Sequence, residues 1–426
     1  MNHTKRLYIL GVILILVMGG VGVILNYLSP SLAYAESDAK ASSVNKKIVA
    51  ANTGFALRLL TELQSVQEGK NIFISPLSVS IALAMTYNGA NSSTREAMSI
   101  TLGLQGMNDD TVNTGYSQLI ESLLNTDSEV SLNIGDSVWI RSGFAKVSPT
   151  FTDTLRKYYG SGVYTRPFDS TTVDEVNSWV DRETRGKINK ILDQIDSDNV
   201  MFLINAIYFK GGWVDEFDES ATHTSNFNTA DGSAEGSIVK VDMMSNDGSF
   251  YYYGDDKVQI ARLPYGRDKI AMYVFLPVKR NTLVSLMAGL NEEKVNAYFP
   301  KLTRTELGLQ LPKLKLEYGK VDLKGALTNL GMGIAFDSNS ADFGRIADVK
   351  PERLYIAFID HKAVVEVNEK GTEAAAVTNV GISVTSMPMR TPFIVDRPYM
   401  FVIRDDRSGT ILFAGLISNP NQLKSP

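Results

Sequence analysis

Side chains that could support catalysis or metal binding are few in this sequence. The three histidines are His3, His223 and His361, and there is no cysteine. No His-x-x-x-His pair occurs, so a zinc site is not expected. A Gly-x-Ser-x-Gly elbow and a phosphate-binding glycine loop are also missing from the sequence, and these are usual signatures of hydrolases and nucleotide enzymes. We therefore predict a protein that is not an enzyme and holds neither metal nor cofactor.

The most unusual stretch runs from residue 361 to residue 420. It begins with His361 and a valine-rich strand over residues 363–367, and it ends with apolar strands over 399–403 and 410–417. The polar turn between these last two strands predicts a buried hairpin. A loop of about twenty residues lies between the first strand and the hairpin. Loops of that length inside a compact domain are uncommon and, when ordered, usually functional.

The start of this loop has a period-two pattern. One face is small and uncharged at its start and then larger, and it carries Thr372, Ala374, Ala376, Thr378, Val380 and Ile382. The other face carries the only charge and begins with Glu373, Ala375 and Val377. Alternation of this kind is typical of a strand with one buried face. Taken alone, the pattern is equally consistent with an edge strand that has a weak start.

Several motifs resemble the serpins, the serine-protease-inhibitor superfamily. Residues 368–376, NEKGTEAAA, resemble the hinge of the serpin reactive loop. Residues 396–399, DRPY, and residues 409–415, GTILFAG, followed by Asn419-Pro420, resemble the family's C-terminal signature. The motifs occur in the family's order, and the resemblance extends over roughly residues 44–420. It implies a serpin-like α+β fold with large mixed or antiparallel β-sheets, a set of helices and an exposed reactive loop.

By this resemblance, the chain is expected to be a suicide-substrate inhibitor of serine proteases. A serine endopeptidase attacks the loop and forms an acyl-enzyme through its own serine. The cleaved loop then inserts into the main β-sheet and traps the protease in a covalent complex. The implied hinge consists of Gly371, Thr372, Glu373, Ala374, Ala375, Ala376, Val377 and Thr378.

The small face of the hinge has a physical reason in this mechanism. A charged side chain at Thr372, Ala374 or Ala376 would have to be buried during insertion, at a cost of several kcal/mol. The alternative is a non-inhibitory serpin that acts as an extracytoplasmic binding or chaperone-like module. Such members commonly carry unfavourable hinge residues, whereas this hinge has none, so inhibition is the favoured interpretation.

The position of the reactive bond is less well defined by the sequence. Counting forward from Gly371 with the family's spacing gives Thr385-Ser386, whereas counting back from Pro398 gives Met387-Pro388. A bond before proline is poorly cut, so we predict Thr385-Ser386. A small β-branched residue before the bond fits a shallow pocket, which favours an elastase- or subtilisin-like target.

Two further groups of residues take roles from the resemblance. The shutter beneath the main sheet would comprise Ser75, Pro76, Ser78, Asn205 and His361, with Asn205 as a candidate partner of His361. Trp213 would lie at the breach, where the loop first enters the sheet. Each position also has an ordinary structural interpretation: Ser75 and Pro76 suit a helix start, Trp213 suits a core, and a lone histidine is usually structural.

Composition is consistent with one large domain. The chain has 426 residues, a net charge of −5 and 44% hydrophobic residues, so it can bury a sizeable core. Helical patterns gather in the first half and strand patterns in the second, which favours an α+β fold. No linker composition divides the chain after its leader, and we assign residues 45–421 to the serpin domain, with 369–392 as its reactive loop.

The N-terminus has the pattern of an export signal. Lys5 and Arg6 precede an apolar run over residues 7–25, and Ala33-Tyr34-Ala35 resembles a cleavage site. The run is also about long enough to span a bilayer, so residues 1–35 are a signal peptide or an N-terminal membrane anchor. Residues 36–44 form a polar tether. Either alternative predicts an exported domain, secreted or anchored to the outer face of the membrane.

Charge argues against polyanionic partners. The mildly acidic composition gives no reason to expect nucleic acid binding. Some serpins bind heparin through a basic helix, but residues 107–125, at the equivalent place, contain no Lys or Arg. We therefore expect no heparin-type activation, and no membrane contact except through an uncleaved leader.

Overall fold

A computed structural model describes most of the chain after the leader. The described residues are 38–124, 126–144, 146–196, 198–229, 237–278, 282–349, 353–372 and 390–425.

The helices lie mainly in the first half of the chain. They are α1 (Lys46–Val66), α2 (Pro76–Tyr87), α3 (Ser92–Leu102), α4 (Asp109–Leu124), α5 (Pro149–Tyr159) and α6 (Ser170–Glu183). Later come α7 (Leu283–Gly289), α8 (Glu292–Tyr298) and the short α9 (Lys324–Leu327). Every residue of α2 is buried, in agreement with its almost wholly apolar sequence.

Two helix starts differ from what the local sequence indicates. Residues 93–96, STRE, have the pattern of a capping box, but α3 begins at Ser92, and its N-cap Asn91 makes no side-chain capping bond. Thr172 is a suitable cap for α6, but the cap is Asp169, whose carboxylate accepts hydrogen bonds from the Thr171 and Thr172 backbone N–H groups. Both sites offer adjacent capping residues, and the packing of the preceding loop selects among them.

The main sheet has seven strands in the described part of the chain. They are β2 (Val130–Arg141), β3 (Gly162–Arg166), β4 (Met201–Gly212), β10 (Leu314–Asp322), β11 (Ile359–Asn368), β12 (Gly371–Thr372) and β16 (Lys424–Ser425). Their order across the sheet is β16-β10-β11-β12-β4-β2-β3. Strand β4 is the continuous apolar run expected of a central strand.

The second sheet contains the remaining strands. These are β1 (Ile72–Ile74), β5 (His223–Asn228), β6 (Ile238–Gly254), β7 (Val258–Tyr265), β8 (Ile270–Pro277), β9 (Thr303–Pro312), β13 (Thr391–Ile394), β14 (Tyr399–Asp405) and β15 (Thr410–Ile417). The predicted hairpin is present as β14–β15, and β7 and β8 form a second hairpin.

The region after β9 differs in part from its local sequence pattern. Residues 307–316 have the pattern of one strand, but the chain forms two, and the break lies at Lys313 between β9 and β10. Residues 321–330 have a helical pattern; β10 continues to Asp322, and helical structure follows from Lys324 to Met332, as α9 and one π-helical turn. Pairing of β10 with β11 over most of its length overrides the local helical pattern.

Both faces of the main sheet are covered. Helix α2 packs against β15 of the second sheet and against β2 and β4 of the main sheet, so it lies in the large core between the sheets. Helix α6 covers the opposite face, where its Trp179 and Val176 pack with Phe202 and Ile204 of β4. Side chains that alternate along β4 and β11 therefore enter one core or the other. Among the described residues, no helix is both long enough and apolar enough to span a bilayer, and residues 7–25 lie outside them.

Candidate functional site: an opening in the main sheet

Strands β4 and β11 are separated along part of their length. At one end they pair directly, with residues 359–362 of β11 parallel to residues 203–206 of β4. At the other end β12 lies between them and pairs with both. Between these two contacts, residues 363–366 of β11 and 207–210 of β4 have no described pairing with each other. We call this interval the gap.

Gly371 enters the sheet at the end of the gap. It pairs with Gly212 of β4 and Asn368 of β11, and its φ of +148° is one that side-chain-bearing residues rarely adopt. A Cβ atom at Gly371 would lie 2.2 Å from the backbone oxygen of Gly211. Glycine is therefore required here by both conformation and space.

Thr372 is buried within the sheet. Its side chain lies on the core side and is 2% exposed, and its hydroxyl is 2.6 Å from the hydroxyl of Tyr265. The Tyr265 ring stacks on Trp213 with ring centroids 4.4 Å apart. Gly371 and Thr372 thus form a strand within the sheet, in contrast to the exposed loop expected for them from the sequence. The face assigned to Thr372 agrees with its burial.

Trp213 holds the chain just before the hinge. Its indole Nε1–H donates to the carbonyl oxygen of Asn368 at 2.9 Å, and its backbone N–H donates to that of Lys370 at 2.9 Å. The backbone N–H of Phe217 donates to Glu369 at 2.8 Å. Trp213 thus lies where the loop enters the sheet, the place expected for it, while its role in insertion stays a prediction.

Glu369 is a buried carboxylate next to the hinge. It is 5% exposed and lies 2.8 Å from the ammonium group of Lys313, and the Thr222 hydroxyl donates to it at 2.7 Å. Burial by itself raises the pKa of Glu369, but the hydrogen bonds from Lys313 and Thr222 outweigh it and lower that pKa. The anionic form therefore fixes the last turn before β12.

A row of polar residues crosses the closed end of the sheet. Asp136 of β2 is directly opposite Asn205 of β4, and Asn205 is opposite His361 of β11. The Asn205 amide donates to the Asp136 carboxyl group at 2.5 Å, and its oxygen lies 2.7 Å from His361 Nδ1. The contact expected between Asn205 and His361 is therefore present. We refer to these three residues as the polar row.

The start of α2 lies against the polar row. The Ser75 N–H donates to His361 Nε2 at 3.2 Å, which makes Nε2 the acceptor and leaves Nδ1 as the protonated nitrogen. The Ser75 hydroxyl donates to the Leu412 carbonyl and accepts from the Ser78 N–H, and Pro76 occupies the first turn of the helix. Ser78 also hydrogen-bonds to Asn205 and Asp136. The five predicted shutter residues thus lie together, although their gating role is not tested by this geometry.

Burial changes the protonation of the polar row. It lowers the pKa of His361 to about 4, so the imidazole is neutral at physiological pH. Burial also raises the pKa of Asp136 to about 8, against the hydrogen bonds from Asn205 and Ser78. Asp136 and Tyr265 were not among the site residues predicted from the sequence. The only available signal for Asp136 was a charged residue inside an otherwise strand-like segment.

Other predicted site residues lie outside the described part of the chain. These are Glu373, Ala374, Ala375, Ala376, Val377 and Thr378 of the hinge, and Thr385 and Ser386 of the reactive bond. The described chain resumes at Arg390, which forms a 2.6 Å ion pair with Asp247 of β6. Thr391 and Pro392, assigned to the reactive loop, instead begin β13, which pairs with β9.

Comparison with known proteins is consistent with this geometry. The family model for Serpin (serine protease inhibitor) matches residues 50–420. Iripin-2 of Ixodes ricinus is 35% identical, over 87% of this chain and 93% of that protein. Leukocyte elastase inhibitor of Xenopus laevis is 32% identical, over 88% of this chain and 100% of that protein.

Two further comparisons show the range of the relatives and of the fold. Corticosteroid-binding globulin of Pongo abelii is 30% identical, over 89% of this chain and 92% of that protein. The crystal structure of the thermophilic serpin tengpin in the native state superposes with a TM-score of 0.82 at 29% identity, covering 88% of this chain and 95% of tengpin. This chain belongs to the serpin family.

Proposed function

We propose that this serpin is a suicide-substrate inhibitor of serine proteases that inserts its cleaved reactive loop into the gap. The observation that carries the proposal is the position of β12. Gly371 and Thr372 already form the first rungs of a strand between β4 and β11, and the residues beyond them on both neighbours lack a described partner across the gap. The main sheet therefore contains the beginning of an additional strand.

The register of β12 specifies how insertion would continue. Thr372 opposes Gly211 on β4 and Val367 on β11, so antiparallel continuation pairs the next four residues with 207–210 and 363–366. Side chains of directly opposed residues lie on the same face. Ala374 and Ala376 would then join Phe209 and Ile207 in the large core. The small residue types of the hinge suit this position.

Further insertion requires the closed end of the sheet to open. In the same register, Thr378 pairs with both Asn205 and His361, which are now hydrogen-bonded to each other. The loop must therefore displace the direct pairing between β4 and β11. We expect the loop to enter the gap without breaking strand pairing as far as the polar row. Beyond the polar row, further insertion requires β4 and β11 to separate.

The gap alone provides a substantial driving force. Four inserted residues have about eight backbone N–H and C=O groups, and each hydrogen bond contributes about 1 kcal/mol net. Filling the gap thus favours insertion by about 8 kcal/mol before any pairing is lost. Burial of the Ala374 and Ala376 methyl groups adds to this value. A protease attached to the loop would be carried along with the inserting strand, and the free energy of insertion would drive that movement.

The test is the thermal stability of the intact and the nicked chain. Cleavage between Gly371 and Pro388 releases the loop, and about 8 kcal/mol corresponds to a rise of about 10 °C or more in melting temperature for a domain of this size. The reference is the same chain incubated with inactivated protease. A nicked form that melts no higher than the intact form would overturn the proposal.

The finer parts of the proposal concern the target and the location. Thr385-Ser386 as the reactive bond favours an elastase- or subtilisin-like protease, and similarity to leukocyte elastase inhibitor supports the first of these. The leader supports export of the domain, either secreted or membrane-anchored. The mass of the mature exported chain decides this, because a product that begins near Glu36 rules out the anchor.

A second candidate is a binding module without loop insertion. The similarity to corticosteroid-binding globulin favours it. The same melting experiment separates the two functions, because a binding module that has lost the transition gains no stability on cleavage.

A further inference from the structure

The polar row contains an ionisable group that the inhibitory mechanism does not need. Asp136 is 5% exposed and lies on β2, one strand away from the boundary where β4 and β11 separate. Its carboxyl group accepts the hydrogen bond of the same Asn205 amide whose oxygen binds His361. The protonation state of Asp136 therefore acts on Asn205, a side chain that connects the two strands at the closed end of the gap.

We propose that Asp136 is a proton-binding site that keeps the main sheet closed, and that loss of its proton promotes opening between β4 and β11. The neutral acid fits the closed sheet because a buried carboxylate without a cationic partner is costly. Opening of the sheet admits water and relieves that cost. This inference rests on the proposed loop insertion only for its consequence, since the polar row exists in the intact chain.

The polar and charged side chains around Asp136 come from β4, β11, α2 and α6. Asn205 of β4 and Ser78 of α2 are neutral hydrogen-bond donors to the carboxyl group. His361 of β11 is neutral and lies on the far side of Asn205. Glu183 of α6 packs over Gly135 on the other face of the sheet, and its charge disfavours an anion at Asp136. None of these four groups supplies a positive charge.

The direction of the pH effect follows from linkage. Burial, with a smaller contribution from the charge of Glu183, raises the pKa of Asp136 from 3.8 to about 8 against the hydrogen bonds from Asn205 and Ser78. The closed sheet thus holds the proton more tightly than a solvated form does, and closure weakens as pH rises from about 4 to about 8. Burial lowers the pKa of His361 to about 4, so that residue weakens closure only below about pH 6.5.

The window from pH 7 to pH 9 isolates Asp136 from His361. With pKa values of about 8 closed and 3.8 solvated, the open fraction rises about tenfold between these two pH values. The rise is about fivefold between pH 7 and pH 8 and about twofold between pH 8 and pH 9, and the curve becomes flat above pH 9. A tenfold change in the open fraction can be measured as a change in the rate at which an added strand inserts into the sheet.

The experiment follows uptake of a synthetic peptide by the full chain. The peptide has the sequence of residues 373–383 and an acetylated N-terminus, so that its amine does not titrate in the window. Uptake is measured as conversion to a form with a higher melting temperature. We expect the rate to be about tenfold higher at pH 9 than at pH 7. In Asp136→Asn, which keeps the acceptor oxygen without a proton to lose, the two rates should agree within about twofold.

The matched control is Asp153→Asn on α5. Asp153 is 69% exposed and paired only with the exposed Arg156 among the described residues, so this variant should keep the wild-type pH dependence. A wild-type rate that does not change with pH would overturn the proposal, as would an equal increase in D136N. Should D136N not fold, Asp136→Ser serves as a second neutral variant.

A second measurement separates this inference from the proposed function. If no peptide is taken up at any pH, loop insertion fails, but the melting temperature of the intact chain still reports on Asp136. That temperature should fall from pH 7 to pH 9 more in the wild type than in D136N. Equal decreases in the two proteins would overturn the role of Asp136 whatever the outcome for insertion.

Discussion

The most direct test of the insertion mechanism is a charge placed on the buried face of the hinge. Thr372 is 2% exposed, and its hydroxyl contacts Tyr265. Thr372→Arg removes this hydrogen bond, worth about 1 kcal/mol, and directs a guanidinium group into the core between the sheets. If the charge stays buried, it costs several kcal/mol more, because the side chain at this position lies in the core beside Tyr265.

This cost is comparable with the driving force. Thr372 is already buried in the intact chain, so an arginine at this position should leave the sheet and undo β12. Its charge must then be buried afresh at the first step of entry, which removes a large share of the ~8 kcal/mol that the gap supplies. If about 3 kcal/mol of the cost is felt in the barrier, insertion slows by more than 100-fold. The acyl-enzyme then hydrolyses before it is trapped. We expect T372R to be cleaved as a substrate and to form almost no SDS-stable complex.

The matched control places the same charge on the other face. If β12 is extended in the same register, residue 373 would lie opposite Glu366 and Lys210, and the Glu366 side chain is 39% exposed. The arginine of Glu373→Arg would then stay near water and beside the Glu366 carboxylate, so most complex formation should remain. Densitometry of complex and cleaved chain on SDS gels gives the partition. Equal amounts of complex in T372R and E373R would refute the insertion register.

Four further outcomes are expected. Tyr265→Phe removes the partner of Thr372 and should lower the melting temperature of the intact chain slightly, by about 1 kcal/mol in stability, without preventing complex formation. The stability that neutral His361 contributes should be lost as pH falls from about 6.5 to about 4, by up to about 3 kcal/mol, and His361→Gln should abolish this part of the acid denaturation curve. Mass spectrometry of the fragment released by protease should show cleavage between Thr385 and Ser386, and a fragment beginning elsewhere would refute that assignment. Heparin should leave the inhibition rate unchanged, because α4 carries no Lys or Arg, and a large acceleration would contradict the prediction.

Local sequence was sufficient for the elements whose patterns are self-contained. Helix α2 begins at Pro76 after a serine cap, as predicted, and the continuous apolar run of residues 201–209 forms the central strand β4. Period-two alternation also placed Thr372 on a buried face. Local sequence was insufficient where neighbouring residues could each cap the same helix, as at the start of α6. It was also insufficient where strand pairing overrides a helical pattern, as at the end of β10.

By itself, the sequence determined which family the motifs indicate and which residue types the hinge offers for burial, because both depend only on residues near one another along the chain. Only the tertiary structure decided that Gly371 and Thr372 already occupy the sheet and that Asp136 joins Asn205 and His361 in one row. The partners of these residues are up to about 160 positions away in sequence, and their register depends on the packing of whole strands. Protonation of Asp136 depends on the same packing, since burial sets its pKa.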